Sequence, residues 1–288
     1  QKRVAFGGKD HMCGIFGVVA DRPQPRNAIE TTLARGLEAI RHRGPDGQAT
    51  WVSDDNHAGF AHARLAIIDL ESGAQPMLSA DGRYVVIHNG EIYNYLELRD
   101  ELGSQTFGTH SDTEVILRAF ETWGVDCVSH LRGMFAFAIW DNRERKLFLA
   151  RDRFGIKPLY WARTEEGLVF GSEIKALLPF VPRAVDADGL SEYFTFQFCL
   201  GERTLFDGVS QFPAAHAALV PLGRKPEPVR YWEVQYDLDL THNESWFASR
   251  LEELLHDSIG MHLRADVEVG SYLSGGIDSS LVALLARR

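Results

Sequence analysis

The 288-residue sequence is 45% hydrophobic and 24% charged, with a formal net charge of -10. This is an ordinary globular profile with room for roughly two domains of about 150 residues. No basic stripe of the kind that tracks a phosphate backbone occurs, since Arg41-His42-Arg43 is short and sits in turn chemistry. Nucleic acid is therefore excluded as a partner, and no run reaches the roughly 18 apolar residues of a membrane helix.

The opening stretch QKRVAFGGKDHM is charged but has no apolar core, so it is not a secretory signal. Cys13, Cys127 and Cys199 are widely spaced with no C-x-x-C pair. That pattern excludes a disulfide framework and a cysteine zinc site, and it favours a reducing, cytoplasmic setting. Cys13 precedes an expected strand over Gly14–Val19. Taken alone, it is either a small apolar residue opening a buried strand or a nucleophile.

Ile29, Leu33, Leu37 and Ile40 share one helical face, with Asn27 as the expected cap and Glu30 three residues on. Strands are expected over Gly59–Ile68 and Arg83–His88. Ser111-Asp112-Thr113-Glu114 reads as a capping box ahead of Val115, Ile116, Phe120 and Trp123, with Gly124 as the stop. Strands follow over Phe135–Asp141, Lys146–Asp152, Leu159–Ala162 and Leu168–Ser172, joined by hairpin-length turns at 142–145 and 165–167. Antiparallel strands with packed helices predict an α+β sandwich from Cys13 to about Phe206.

The stretch PLGRKPEP, 221–228, reads as a linker. Beyond it, Ser245–Leu263 is expected to be helical, with Phe247, Leu251, Leu254, Leu255 and Ile259 on one side. A strand over Val267–Leu273, a Gly-rich loop over Ser274–Asp278 and a helix over Ser279–Ala286 then read as the opening of a parallel α/β domain. The expected organisation is an extension at 1–12, a first domain at 13–206, a connection at 207–243 and an α/β piece at 244–288. There is no internal repeat.

In SGGIDSS, Gly275 and Gly276 allow close backbone approach, while Ser274, Ser279 and Ser280 add hydroxyls at a helix N-terminus. This is an anion cradle suited to phosphate or pyrophosphate. Asp278 has the wrong sign for a bare phosphate site and implies a Mg²⁺ between carboxylate and phosphates. The loop lacks the Lys of a Walker A sequence. The plainer alternative is a strand-to-helix turn with capping serines.

Arg64 falls inside the apolar run AHARLAIID, where an unpaired guanidinium is costly. It therefore calls for an anionic partner, and a substrate carboxylate fits its planar fork. In HNGEIYN, Asn89 offers a side-chain amide and Gly90 an unhindered N–H, together suited to an oxyanion. Glu91 and Asp112 supply negative charge for an ammonium. The plainer alternatives are a solvated strand-end turn for Asn89–Glu91 and a helix-dipole role for Asp112. Jointly these residues describe a pocket for an amino acid, with a thiol beside it.

The blocks CGIFGVV, RHRGPDG, AHARLAIID, GAQP, NGEIYN, SDTEVIL, GMFAFAIWD, RDRFGIKPLY and SEIKALL occur in this order. They resemble the glutamine amidotransferase domain of the glutamine-hydrolysing asparagine synthetases, and SGGIDSS resembles the pyrophosphate loop of the ATP pyrophosphatases. The resemblance runs from Met12 nearly to the end. It implies an N-terminal-nucleophile αββα sandwich followed by the truncated start of an α/β ATP-pyrophosphatase domain. It also implies that Cys13 attacks the glutamine side-chain amide with its own free α-amino group as base, and that Asn89 and Gly90 form the oxyanion hole. Arg64 would bind the glutamine carboxylate, and Glu91 and Asp112 its ammonium. Ammonia would pass to an aspartyl adenylate made from ATP and aspartate, with ATP and Mg²⁺ serving the synthetase half and no cofactor the glutaminase half. A homodimer is left open.

Two departures from the family pattern shape the expectation. Met12 precedes Cys13, so the α-nitrogen of Cys13 is an amide, and glutaminase activity is expected only after removal of residues 1–12. Those residues are either a mis-assigned start or a propeptide. The sequence also stops just after SGGIDSS, so a fragment without amide synthesis is expected. A smaller departure is QFPAAHAAL, where the family has a proline-glycine-histidine turn near His216. The rival readings are the same glutaminase feeding another adenylated carboxylate, and a non-catalytic binding module.

Overall fold

In β1 (Gly14–Ala20) every residue is buried, because the strand is covered on both faces. Ile15 and Val19 point into a layer shared by two sheets, and Phe16 and Val18 point to helix α1 (Arg26–Ile40). Such double coverage needs a continuous apolar run rather than alternation, which GIFGVVA supplies. The computed structural model describes residues 12–287. Apart from Met12, the expected extension at 1–12 lies outside the described residues.

The chain continues through β2 (Gly47–Val52), β3 (Ala58–Arg64), β4 (Met77–Leu78) and β5 (Tyr84–Ile92). Helices α2 (Tyr95–Leu102), α3 (Asp112–Trp123) and α4 (Cys127–His130) follow. Then come β6 (Gly133–Asp141), β7 (Lys146–Arg151), β8 (Tyr160–Arg163), β9 (Gly167–Gly171), α5 (Ile174–Leu177) and α6 (Ala187–Phe196). The last elements are β10 (Val209–Gln211), β11 (His216–Pro221), β12 (Val229–Arg230), α7 (Glu244–His262) and α8 (Ile277–Ala286).

Two six-stranded sheets form, ordered β10-β8-β9-β1-β3-β2 and β12-β11-β7-β6-β5-β4. All their pairings are antiparallel. Phe60 and Phe170 from the first sheet meet Ile87, Ala138 and Trp140 from the second in the layer between them. On the outer face of the first sheet, Ile29, Leu33 and Ile40 of α1 pack on Phe16 and Ala61. On the outer face of the second, Val115, Ile116 and Phe120 of α3 pack on Phe135, Phe137 and Phe148. The expected αββα sandwich is the observed architecture. Each fully buried Phe or Ile contributes about 2 kcal/mol of transfer free energy to it.

Several local expectations change. The strand expected over 59–68 ends at Arg64, where the chain turns away. The strand expected to end at His88 runs on to Ile92, so Asn89, Gly90 and Glu91 lie within a strand and not in a turn after it. Helix α1 starts at Arg26 behind Pro25 with no side-chain cap, and Asn27 sits inside the first turn. Ser111 caps α3 by accepting from Thr113 N–H at 3.2 Å. Glu114 does not close the box: its carboxylate takes the N–H groups of Gly108 and Thr109 at 2.9 and 2.7 Å.

The stretch 207–243 contributes β10, β11 and β12 to the two sheets. In the turn before β11, Ala215 holds φ 59, the left-handed backbone that the family's glycine would adopt more readily. Val267–Leu273 is not a strand: no neighbouring strand lies beside it among the described residues, and Tyr272 and Leu273 are exposed. An unpaired strand leaves its backbone polar groups without partners and is not stable by itself. Trp246, Phe247, Leu251 and Leu254 of α7 are likewise exposed. No helix among the described residues is long and apolar enough to cross a membrane.

Gly90 combines φ 149 with contact to the neighbouring strand, and a Cβ there would lie 2.0 Å from the Met134 carbonyl oxygen. Gly90→Ala is expected to cost about 3 kcal/mol in urea unfolding, because backbone strain adds to overpacking. Gly82→Ala, at φ 68 with nothing within 4 Å, is expected to cost about 1 kcal/mol. Equal costs at the two positions would show that the β5–β6 approach is not the constraint.

Candidate active site

Cys13 lies at the mouth of β1. Its carbonyl accepts from Arg43 Nε at 2.9 Å, and Arg43, itself buried, pairs with Glu173 at 2.9 Å. The Cys13 Sγ accepts from Leu65 N–H at 3.3 Å and lies 3.4 Å from the Leu65 carbonyl oxygen. The thiol is thus held against the end of β3. Burial pushes it up to about 11, with Asp112 acting in the same direction. Leu65 N–H, Lys157 and Arg64 oppose the rise.

Cys13, Arg64, Asn89, Gly90, Glu91 and Asp112 line one cleft of about 490 Å³ that is open to solvent. They come from β1, β3, β5 and α3, so the fold gathers what the sequence separates. Asn89 is fully buried, and its Nδ2 reaches Ser172 Oγ at 3.5 Å while its Oδ1 has no partner. Along β5 the N–H groups of His88 and Ile92 face away from β6, toward Gln75 Oε1 at 2.6 Å and Asp112 Oδ2 at 2.9 Å. Gly90 N–H lies between them on the same side, by strand alternation, and among the described residues no side chain takes it. It is a donor aimed into the cleft.

Burial raises the Glu91 carboxyl above its usual range, against the pull of Lys157 and His262. Burial also lifts Asp112 to about 7; Ile92 N–H opposes this and Glu91 adds to it. Two acids therefore sit side by side in a site that would hold both better if a cation joined them.

Arg64 departs from its sequence reading. It is the last residue of β3, and its guanidinium donates to the carbonyls of Ile68, Asp69 and Leu70. The loop after the strand folds back around it, so its partners are neutral oxygens and no anion is required. Gly73 makes room for this arrangement, since a Cβ there would lie 2.7 Å from Arg64 Nη2.

Ser274, Gly275, Gly276, Asp278, Ser279 and Ser280 lie apart from the cleft, around the start of α8. Gly275 takes φ 86, and the Ser279 and Ser280 hydroxyls donate to the Gly276 carbonyl at 3.1 and 2.8 Å. The turn and helix N-terminus fit an anion. Among the described residues no group of three His, Cys, Asp or Glu side chains could hold an ion by itself. A Mg²⁺ shared between Asp278 and nucleotide phosphates would need only that one carboxylate from the chain, with water completing its shell.

Sequence reasoning passed over several side chains. Arg43 anchors the Cys13 backbone. Ser172 Oγ accepts from Ile15 N–H at 3.0 Å and so fixes β1 beside Asn89. Gln75 ties β5 to Thr113 of α3 at 3.0 Å. Lys157, buried and lining the cleft, donates to Met12 Sδ at 3.0 Å. For Arg43 and Lys157 the available signal was a charged residue within a turn block, as in RHRGPDG and RDRFGIKPLY.

Comparison with known proteins identifies two regions of the chain. Residues 12–232 match the family model described as a glutamine amidotransferase domain, and residues 250–288 match asparagine synthase. The chain is 38% identical to asparagine synthetase [glutamine-hydrolyzing] 1 of Bacillus subtilis, across 96% of this chain and 44% of that protein. It is 40% identical to a putative asparagine synthetase [glutamine-hydrolyzing] of Mycobacterium bovis, across 96% of this chain and 46% of that one. It thus spans less than half the length of these relatives. In backbone it is similar to the glutamine phosphoribosylpyrophosphate amidotransferase of Bacillus subtilis, with TM-score 0.55 and 18% identity over 76% of this chain and 49% of that one. At that identity the likeness is one of fold. The chain belongs to the glutamine amidotransferase domain family.

Proposed function

We propose that the cleft hydrolyses the side-chain amide of glutamine to glutamate and ammonia, and that the protein spends the ammonia on ATP-dependent amidation of aspartate to asparagine. The observation that carries the first half is the convergence of thiol, unclaimed Gly90 N–H, buried Asn89 amide and paired acids in one cleft. The match of residues 250–288 to asparagine synthase supports the second half.

In this mechanism Cys13 Sγ attacks the amide carbon of glutamine after giving its proton to the Cys13 α-amino group. Asn89 Nδ2 and Gly90 N–H stabilise the oxyanion, an effect worth about 3 kcal/mol per donor. The α-ammonium returns the proton to the leaving nitrogen, ammonia departs, and a thioester remains. Water then adds to the thioester, releasing glutamate and restoring the thiol. Glu91 and Asp112 hold the substrate ammonium. Arg64 holds the substrate carboxylate once it exchanges a loop carbonyl for the charged oxygen, a stronger acceptor. In the synthetase half, ATP would meet the N–H groups and hydroxyls of the 274–280 turn, supplying the activation that a carboxylate needs before ammonia attacks it.

The α-nitrogen can act as a base only as a free amine, whose ordinary pKa is about 8. A protein beginning at Cys13 is expected to hydrolyse glutamine at least about a thousandfold faster than one retaining Met12 or carrying Cys13→Ala, by glutamate release. A diazoketone analogue of glutamine should label Cys13 alone. Equal rates for the two starts would remove the amine from the mechanism.

Asp112 generates a pH prediction. Its carboxyl, raised to about 7, must be ionised to hold an ammonium. Affinity for glutamine is thus expected to rise about tenfold per unit as pH climbs toward 7 and to level off above it. The measurement is calorimetric binding to the Cys13→Ala protein. Adding Asp112→Asn should weaken binding and flatten this profile; an unchanged profile would take Asp112 out of ammonium recognition.

A further inference from the structure

Lys157 lies in the turn that follows β7. Its N–H donates to Asp152 Oδ2 at 3.0 Å, and its carbonyl accepts from Arg151 Nε at 2.7 Å. Both partners are buried, so the point where the side chain starts is fixed from two sides. The residue is only 4% exposed, and it lines the cleft.

There the ammonium finds little to satisfy it. Nζ donates to Met12 Sδ at 3.0 Å, and a thioether is a weak acceptor. Among the described residues Lys157 makes no ion pair. A buried ammonium without an anion is costly, and burial lowers its pKa, against the pull of Glu91, Cys13 and Asp152. The charged groups around Lys157 are therefore Glu91 on β5, Cys13 before β1, Arg43 after α1 and Asp152 in its own turn. Those around the thiol are Asp112 on α3, Lys157, and Arg64 at the end of β3.

Of the three cations, Arg43 is spent on Glu173 and the Cys13 carbonyl, and Arg64 on loop carbonyls. Among the described residues Lys157 is the one without a strong acceptor. We propose that Lys157 is a positioning residue for Cys13, its ammonium being the counter-charge that holds the sulfur as a thiolate once the proton has left. The assignment rests on the reading of Cys13 as the nucleophile. It gives the cleft a cation for the thiolate that is separate from the donors for the oxyanion.

The test is the rate of Cys13 alkylation by iodoacetamide between pH 6 and 10, read by peptide mass mapping, with partly exposed Cys199 as internal control. Lys157→Met and Lys157→Gln remove the charge, and Lys157→Arg keeps it. Both neutral variants are expected to move the Cys13 profile to higher pH and to slow alkylation at pH 8 by about fivefold or more, because only the thiolate reacts. Lys157→Arg should stay within about twofold of the parent, and Cys199 should not change. Neutral variants that superimpose on the parent would overturn the proposal. So would Lys157→Arg slowing as much as they do, which would mean that shape and not charge matters. Alkylation needs no glutamine. Failure of the diazoketone to label Cys13, alongside a shifted alkylation profile, would remove the glutaminase reading and leave the role of Lys157 standing.

Discussion

One buried carboxylate organises the end of the second sheet where the cleft opens. Asp152 is fully buried, and its side chain accepts N–H groups from Phe135, Phe154, Ile156 and Lys157 at 3.0 to 3.2 Å. A carboxylate can leave water only when such charge-assisted bonds replace its hydration. The Asp152 backbone extends the same hub, its N–H going to the Phe135 carbonyl and its C=O taking Ala215 N–H. β6, the turn after β7 and the entry to β11 are thereby joined at one residue. The position of Lys157, and with it the cationic wall of the cleft, follows from that junction.

The elements legible in the sequence were those whose burial is simple. β1, β6, β7 and α3 carry long apolar or cleanly periodic runs, because each faces a core on a full side. The short edge strands β4, β10 and β12 carry no such pattern and take their place only when a longer strand offers free hydrogen-bonding groups. β5 misled for a different reason: His88, Asn89, Gly90 and Glu91 look like a turn because polarity there serves the cleft, while the backbone keeps strand geometry. Arg64 misled because its partners are backbone carbonyls from a loop, which no spacing rule announces. The site residues themselves were legible as residue types. Their meeting in one pocket was expected from their complementary chemistry, but the elements that deliver them were not, since these depend on the stacking of two sheets.

Around the cleft the protein tolerates buried polar atoms without partners among the described residues. Asn89 Oδ1, His62 Nδ1 and His88 Nε2 are buried without partners, each a cost of about 1–3 kcal/mol. Burial drives His62 down to about 4 and His88 to about 3, so both rings stay neutral. The segment after α7 braces the same region from outside. Arg264 pairs with Glu97 and donates to the Tyr93 carbonyl at 2.7 Å. Asp266 bonds both to the Ile67 carbonyl and to Asp69 N–H. Those last contacts hold the loop that wraps Arg64, so the cleft wall is fastened by residues far along the chain.

The placement of β1 in the middle of its sheet bears on how the protein is made. One neighbour, β3, pairs Phe60 with Gly17, while the other, β9, pairs Phe170 with the same residue. β1 leaves the ribosome well before β9 and must therefore wait for it before its second edge is closed. Contacts of such long sequence separation are slow to form, and a nascent chain carries them as open edges in the meantime. Cys13, at the start of that strand, is therefore seated late, so an incomplete chain would expose its thiol without the cleft around it.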